Sequence, residues 1–88
     1  MLSTSTISKM KFPHDTTQII YFNTFSLQDE LLYVIQCNSK NLYIGNALYD
    51  FVLHSQHTIP EQITSVCACY SKSKIYFGTN DGKIYYLC

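Results

Sequence analysis

The stretch that decides the fold is ITSVCACYSKSKIYFGTNDGKIYYLC, which runs from Ile63 to Cys88. Residues of this stretch are β-branched or aromatic in three successive segments, 63–70, 74–79 and 83–87. Such residues fit a pleated, half-buried surface, so each segment is predicted to be a β-strand. Ser71-Lys72-Ser73 separates the first two segments, and Asn80-Asp81-Gly82 separates the last two. Because these connections are short, neighbouring strands are expected to pair antiparallel.

The turn at Asn80, Asp81 and Gly82 is the strongest local signal and the one structural site that the sequence predicts. Asp-Gly between two strands suits a tight hairpin, because glycine adopts a positive φ at no steric cost. Asp81 is expected to serve the geometry of the turn. The other acidic residues are expected to be solvated at turns or strand ends: Asp15, Asp29, Glu30, Asp50 and Glu61.

The same pattern continues toward the N-terminus, so the predicted fold class is all-β. Further strands are predicted at Gln18–Phe22, Leu31–Ile35, Asn41–Ile44 and Leu48–Leu53, with breaks at 38–40 and at Gly45-Asn46. The longest gap is predicted at Ser55–Gln62, where Pro60 excludes regular pairing. A short helical turn over Leu27–Leu32, capped by Ser26, is the alternative to strand in this region.

The segments group into an irregular N-terminal lead-in (1–17), a four-stranded unit (18–54) and an incomplete three-stranded unit (63–88). Four-stranded antiparallel meanders at about 40-residue spacing are the signature of β-propeller blades. Little charge lies on either side of strand 63–70, which predicts a strand covered on both faces. The four cysteines are accordingly predicted to be small, buried side chains.

Composition excludes several functional classes. The chain is 47% hydrophobic and 14% charged, unlike a disordered chain. Its formal net charge is zero and it has no arginine, so nucleic-acid binding is not expected. The apolar runs 19–22 and 31–35 are far shorter than the roughly 20 residues of a spanning helix. The N-terminus lacks the apolar core of a signal peptide, so secretion is not expected and the cysteines should remain thiols.

Catalytic and metal sites find little support. Candidate bases are His14, His54 and His57, and candidate nucleophiles are Cys37, Cys67, Cys69 and Cys88. No family signature surrounds any cysteine, and the isolated glycines make no phosphate-binding loop. His54-x2-His57 ahead of Cys67-x-Cys69 offers zinc ligands, but alternate cysteines within a strand lack the usual ligand spacing. We therefore expect no enzyme, cofactor, metal or small-molecule substrate.

The aromatic pairs have two interpretations. Tyr21-Phe22, Tyr76-Phe77 and Tyr85-Tyr86 offer ring faces on which bases stack in RNA-binding sheets. Such sheets also need helices and basic residues, which the sequence does not predict. Core packing between sheets is therefore the favoured interpretation.

The stretch 63–88 resembles one propeller blade of the WD-repeat type. Leu87-Cys88 stands where Trp-Asp occurs in that repeat, while His57, Ser65 and Asp81 fall near three places of its hydrogen-bond tetrad. Over residues 18–88 the order of elements is similar to the N-terminal propeller of the large inner-ring scaffold nucleoporins. The matching elements are Leu31–Ile35 with Leu42–Gly45, Leu48-Tyr49, Ile63-Thr64, Lys74–Gly78 and Asn80–Tyr85. The longer insertions that this family has between these strands are missing.

This resemblance implies a non-catalytic scaffold in the nuclear pore complex, at the nuclear envelope, with a role in nucleocytoplasmic transport. The implied partners are other proteins, namely scaffold or linker nucleoporins, and the family's propeller also touches the pore membrane. A chain of this length is then expected to be a fragment or reduced copy of marginal stability alone. The alternatives are a WD-repeat-like protein-interaction module unrelated to the pore, cytoplasmic or nuclear, and a small β-domain outside the propeller class.

Overall fold

A computed structural model of the chain describes residues 6–48 and 50–88, and over these residues the fold is all-β, as predicted. The described residues form two antiparallel sheets, one with the strand order β1-β2-β3-β4 and one with the order β5-β6-β7. No helix in this part of the chain is long and apolar enough to cross a bilayer. The strands are β1 (Ile19–Leu27), β2 (Glu30–Cys37), β3 (Asn41–Asn46), β4 (Leu53–Thr58), β5 (Ile63–Cys69), β6 (Lys74–Thr79) and β7 (Ile84–Leu87).

The first hairpin excludes the helical turn over Leu27–Leu32, which was the alternative to strand in this region. β1 extends past Phe22 to Leu27, and Leu27 pairs with Glu30 across a two-residue turn. Both turn residues have positive φ, 51° at Gln28 and 64° at Asp29. Left-handed residues at both positions match the twist of the flanking strands. The apolar residues of this region therefore lie in paired strands and not in a helical turn, since the apolar spacing of a helix is not sustained beyond one turn.

The fourth strand lies later than predicted. Of the predicted strand Leu48–Leu53, only Leu53 lies in a strand. Leu48 lies in a bend, Asp50 and Phe51 form a turn with positive φ, and Tyr49 lies outside the described residues. Instead β4 pairs with β3 from Leu53 to Thr58, so its last four residues, 55–58, lie within the predicted gap. An edge strand with one half-covered face tolerates the polar sequence LHSQHT, and Pro60 lies just beyond its end.

Gly45 and Asn46 belong to β3 and do not mark a break, contrary to the prediction. The β3–β4 register shifts between Ile44 and Gly45. A Cβ at Gly45 would collide with the Val52 carbonyl oxygen and lie 2.7 Å from the Tyr33 ring. Glycine is required here because the backbone of the following turn and an aromatic ring both approach it closely.

The two sheets pack face to face on a shared core. Val34 and Ile44 of the first sheet meet Ile63, Ile75 and Phe77 of the second. Among the described residues, β1 and β5 are the only strands of opposite sheets whose Cα atoms repeatedly lie within 8 Å of each other. The sheets are therefore closest at the β1–β5 edge and diverge toward β4 and β7.

The opposite face of the first sheet has its own core, covered in part by the N-terminal lead-in. Phe12 packs there with Tyr33, Ile35, Cys37 and Tyr43. Because residues of β2 alternate between the two cores, every residue from Leu32 to Cys37 is buried. Strands covered on both faces are thus present, but they are β2 and β3: in β3, Leu42 and Ile44 face the shared core and Tyr43 faces the other core.

The prediction that strand 63–70 is covered on both faces is wrong. Ile63 and Val66 face the shared core, while Ser65 and Cys67 are exposed on the other side of β5. The prediction of four buried cysteines fails with it: Cys37 is buried, Cys69 is partly buried, and Cys67 and Cys88 are exposed. The absence of charge in this strand reflects small side chains on an open face and does not indicate a second covering layer.

Candidate functional site

The predicted turn at Asn80, Asp81 and Gly82 joins β6 to β7. Gly82 has a φ of 86°, and its amide donates to the Thr79 carbonyl oxygen at 3.3 Å. The Thr79 hydroxyl donates to Asp81 Oδ1 at 2.6 Å and accepts from the Lys83 amide at 2.9 Å. The hydrogen bond from Thr79 lowers the pKa of Asp81. Asp81 therefore orders the turn through Thr79, which the sequence analysis did not single out.

A polar cluster ties this turn to the segment between the sheets. Lys83 Nζ lies 2.6 Å from Glu61 Oε2 and 3.2 Å from Asp81 Oδ2. The Tyr85 hydroxyl donates to Glu61 Oε1 at 2.5 Å. The hydrogen bond from Lys83 holds the pKa of Glu61 below its ordinary value, and Glu61 in turn raises the pKa of Lys83 and Tyr85. Glu61 thus accepts hydrogen bonds from two side chains, those of Lys83 and Tyr85, contrary to the expectation that it is solvated.

Gln36 holds the crossover from β4 to β5, which is residues 59–62. Its side chain is fully buried in β2. Nε2 donates to the carbonyl oxygens of Ile59 at 3.2 Å and Glu61 at 2.8 Å, and Oε1 accepts from the Ile63 amide at 2.8 Å. Because both the N–H and the oxygen of this buried amide are hydrogen-bonded to the backbone of the crossover, the side chain fixes the path of residues 59–63. The signal in the sequence was a lone amide in the apolar run LLYVIQC.

Asp15 anchors the N-terminal strap, defined here as residues 12–18, on the first sheet. Its Oδ1 accepts from the Thr17 amide and hydroxyl, at 2.9 and 2.6 Å. Its Oδ2 accepts from the hydroxyls of Ser39 at 2.6 Å and Tyr43 at 2.8 Å. These donors hold the pKa of Asp15 far below its ordinary value, with the Ser39 hydroxyl the largest cause. Burial, followed by the bond to Asp15, raises the pKa of Tyr43 to about 12.

The candidate catalytic residues are dispersed. His57 Nε2 lies 2.9 Å from Ser55 Oγ on β4, and His54 Nε2 lies 3.7 Å from Glu30 Oε2. No hydrogen bond between described residues joins His57 to a carboxylate that would orient it as a base. His14 stacks near Tyr43 at the strap.

Between described residues, no hydrogen bond joins a thiol to one of these bases, and Cys88 is exposed just after β7. Burial raises the pKa of Cys37, which makes that thiol a poor nucleophile. Cys67 and Cys69 lie on the open face of β5, whereas His57 lies on β4 of the other sheet. Over residues 6–48 and 50–88, no group of three or more His, Cys, Asp or Glu side chains is placed to hold a metal ion.

Each of the three aromatic pairs has one ring toward the shared core and one ring outward. In Tyr21-Phe22, on β1 of the first sheet, Tyr21 packs against the core and Phe22 is exposed; the other two pairs lie on the second sheet. Phe77 and Tyr85 face the shared core, whereas Tyr76 and Tyr86 face outward with ring centroids 6.1 Å apart. Lys74 Nζ lies 4.8 Å above the Tyr86 ring. Core packing therefore accounts for one member of each pair, and the other member leaves an exposed aromatic surface.

Two apolar depressions accompany these surfaces. A groove of about 200 Å³ lies on the strap side of the first sheet, between Met10, Phe22 and Phe51. An inter-sheet cleft of about 120 Å³ lies where the sheets diverge. On the side of the first sheet it is lined by Leu42, His57 and Ile59. On the side of the second sheet it is lined by Phe77, Tyr85, Tyr86 and Leu87. The cleft lies between the two edge strands β4 and β7.

No family model, curated protein or solved structure matches this chain.

Proposed function

We propose that this chain forms two adjacent blades of a non-catalytic β-propeller scaffold, and that it acts by binding other proteins. The observation that carries the proposal is how the two meanders are joined. The crossover leads from the edge strand β4 of one sheet to β5, which starts beside β1 of that sheet. In propellers, each blade's outermost strand is likewise followed by the innermost strand of the next blade.

The divergence of the sheets supports the same proposal. Blades that radiate from a central axis are closest at their inner strands, and here β1 and β5 are closest. Gln36 stabilises this arrangement because its hydrogen bonds fix residues 59, 61 and 63 beneath β2. The second sheet has three strands where a blade has four, so the second blade is incomplete.

The place of action that we propose is the nuclear pore complex, on the strength of the sequence resemblance. A fluorescent tag at the chromosomal locus tests it. We expect a nuclear-rim signal and co-isolation with inner-ring scaffold proteins. A diffuse signal would instead favour a WD-repeat-like interaction module unrelated to the pore.

A matched pair of variants tests whether localisation requires the two sheets to be joined as they are in this structure. Gln36→Leu removes the hydrogen bonds to the crossover and is expected to abolish the rim signal. Lys72→Ala alters an exposed turn residue and should leave that signal intact. Rim localisation that survives Gln36→Leu at normal protein level would contradict a role for the paired sheets.

A further inference from the structure

Cys67 and Cys69 lie side by side on one face of β5. They are alternate residues of an extended strand, and alternate side chains point to the same side of a sheet. Val66 packs against the shared core, so the two thiols lie on the opposite, outward face. This end of β5 pairs regularly with β6, because the register shift between these strands lies between Ile63 and Ser65. The strand therefore places both sulfur atoms on one surface.

The spacing of the two thiols prevents a disulfide but allows a bridging ion. Alternate Cα atoms of a strand are about 6.6 Å apart, and side chains that point the same way keep their Cβ atoms at nearly that separation. A disulfide needs Cβ atoms about 3.8 Å apart, so Cys67 and Cys69 stay free thiols. Two metal–sulfur bonds of about 2.3 Å in a line span about 4.6 Å, which the sulfur atoms reach when the side chains lean toward each other.

The ligands at this place select the class of ion. Zinc sites use three or four protein ligands, and over residues 6–48 and 50–88 no group of three or more His, Cys, Asp or Glu side chains is placed to supply them. Thiolates are soft ligands that favour Cu(I). Because Cu(I) has a filled d shell, it is stable with two thiolates in a linear arrangement. A pair of thiols alone therefore fits Cu(I) and does not fit zinc.

The charge beside the pair suits such a complex, since two thiolates and one Cu(I) carry a single negative charge in total. Lys74 pairs with Cys69 across the ladder, and it is the one charged residue in β5, β6 and β7. Its Nζ lies on the outward face, 4.8 Å from the centre of the Tyr86 ring. Directly opposed side chains have Cβ atoms about 5 Å apart, so the ammonium group offsets the charge of the complex.

We propose that Cys67 and Cys69 form a binding site for one Cu(I) ion, held in linear coordination by the two thiolates. On binding, both thiols release their protons and two copper–sulfur bonds form, with no change in the oxidation state of copper or sulfur. The Cys69 sulfur lies 3.9 Å from Ser71 Oγ, and that hydroxyl can donate to the thiolate once the thiol proton has left. The site does not depend on the proposed scaffold role, because its groups lie within β5, β6 and the turn between them.

An anaerobic titration with Cu(I) in competition with the coloured chelator bathocuproine disulfonate tests the proposal. We expect the protein to withdraw one copper per chain, without joining chains into dimers in gel filtration. X-ray absorption at the copper edge should show two sulfur neighbours and no third. A complex with two chains per copper, or with three sulfur neighbours, overturns the proposal.

Three variants give the matched controls. Cys69→Ser removes one ligand and should weaken Cu(I) binding about a hundredfold, because a second thiolate no longer binds within the same chain. The double variant Cys67→Ala/Ala68→Cys keeps the number of cysteines but moves one thiol to the core side of β5, and it should lose as much affinity. Cys88→Ser removes an exposed thiol outside the pair and should bind like the native chain.

Native affinity in Cys69→Ser, or an equal loss in Cys88→Ser, overturns the two-thiol site. Circular dichroism shows whether each variant folds. If the double variant does not fold, the comparison of Cys69→Ser with Cys88→Ser decides, because both positions are on the surface or partly so.

Discussion

A single amide in a buried strand determines how the two sheets are joined. Gln36 is the one polar side chain in the buried run of β2, and its three hydrogen bonds all go to the crossover. Replacing it with an apolar residue of similar size leaves the Ile63 N–H and two carbonyl oxygens without partners. The loss of partners for buried backbone groups costs more than the lost hydrogen bonds themselves.

Gln36→Leu is therefore expected to lower the free energy of unfolding by about 3 kcal/mol. Urea denaturation followed by circular dichroism measures the change. The control is Gln56→Leu, at an exposed position of β4, where we expect a change within about 0.5 kcal/mol. A similar loss in both variants would mean that the crossover does not depend on Gln36.

Gly82 is a residue whose role is conformational. No atom lies within 4 Å of the Cβ that a larger residue would bring, so the cost of substitution comes from its φ of 86°. Gly82→Val is expected to lower the free energy of unfolding by about 1–3 kcal/mol. Gly82→Asn should be milder, since asparagine adopts the left-handed region more readily. Equal melting temperatures for the native chain and Gly82→Val would show that a positive φ at this position causes no strain in a residue with a side chain.

At the scale of elements, the sequence predicts strands well where apolar and β-branched residues are concentrated. The predicted segments 31–35, 41–44, 63–70 and 74–79 overlap β2, β3, β5 and β6. β4 was missed because LHSQHT has the composition of a loop, and only its pairing with β3 makes it a strand. Edge strands are hard to predict for this reason, since a tertiary ladder substitutes for the local signal.

The candidate sites divide in the same way. The Asn80-Asp81-Gly82 turn is determined by local residue types, so it can be predicted from the sequence. Glu61 and Asp15 instead contact Lys83 and Ser39, which are distant along the chain. Such contacts exist only once the sheets are in place, and nothing in the local sequence marks those carboxylates as ordered.

The N-terminal strap gives a pH-dependent prediction. The pKa of Asp15 is lowered in the folded chain, so its stabilising effect is complete above the unfolded value of about 3.9 and is lost as the pH falls toward the folded value. The native chain should melt higher than Asp15→Asn at pH 7, and the difference should shrink below about pH 4. Thermal melts of both across this range measure it. Because Glu61 titrates in both variants, comparing them isolates Asp15, and a constant difference would contradict the assignment.

At the scale of the whole molecule, the two sheets share one core, and the first sheet has a second core on its other face. Val34, Leu42 and Ile44 are buried against side chains from the other sheet, including Ile75 and Phe77. A sheet of three strands with one open face has little else to stabilise it. The two sheets are therefore expected to unfold together and not as independent units.

Phe77→Ala tests this coupling. The substitution lies in β6 and is expected to cost about 3–5 kcal/mol. Hydrogen exchange should then accelerate for amides of β3 as well as β6, because loss of the second sheet exposes the face of the first. Faster exchange confined to β5, β6 and β7 would indicate two units that unfold separately. Tyr76→Ala, on the outward face of the same strand, is the control and should leave exchange in β3 unchanged.

Because Cys37 is buried, the rate at which its thiol reacts measures local opening of the chain around it. This thiol lies beneath the strap, while Cys67 and Cys88 are exposed and Cys69 is partly so. An alkylating reagent will label the outer thiols at once and reach Cys37 only during the moments when the strap lifts. When reclosing is faster than alkylation, the rate of the slow phase reports the fraction of molecules in which Cys37 is accessible, and it does so in the native sequence without an added probe.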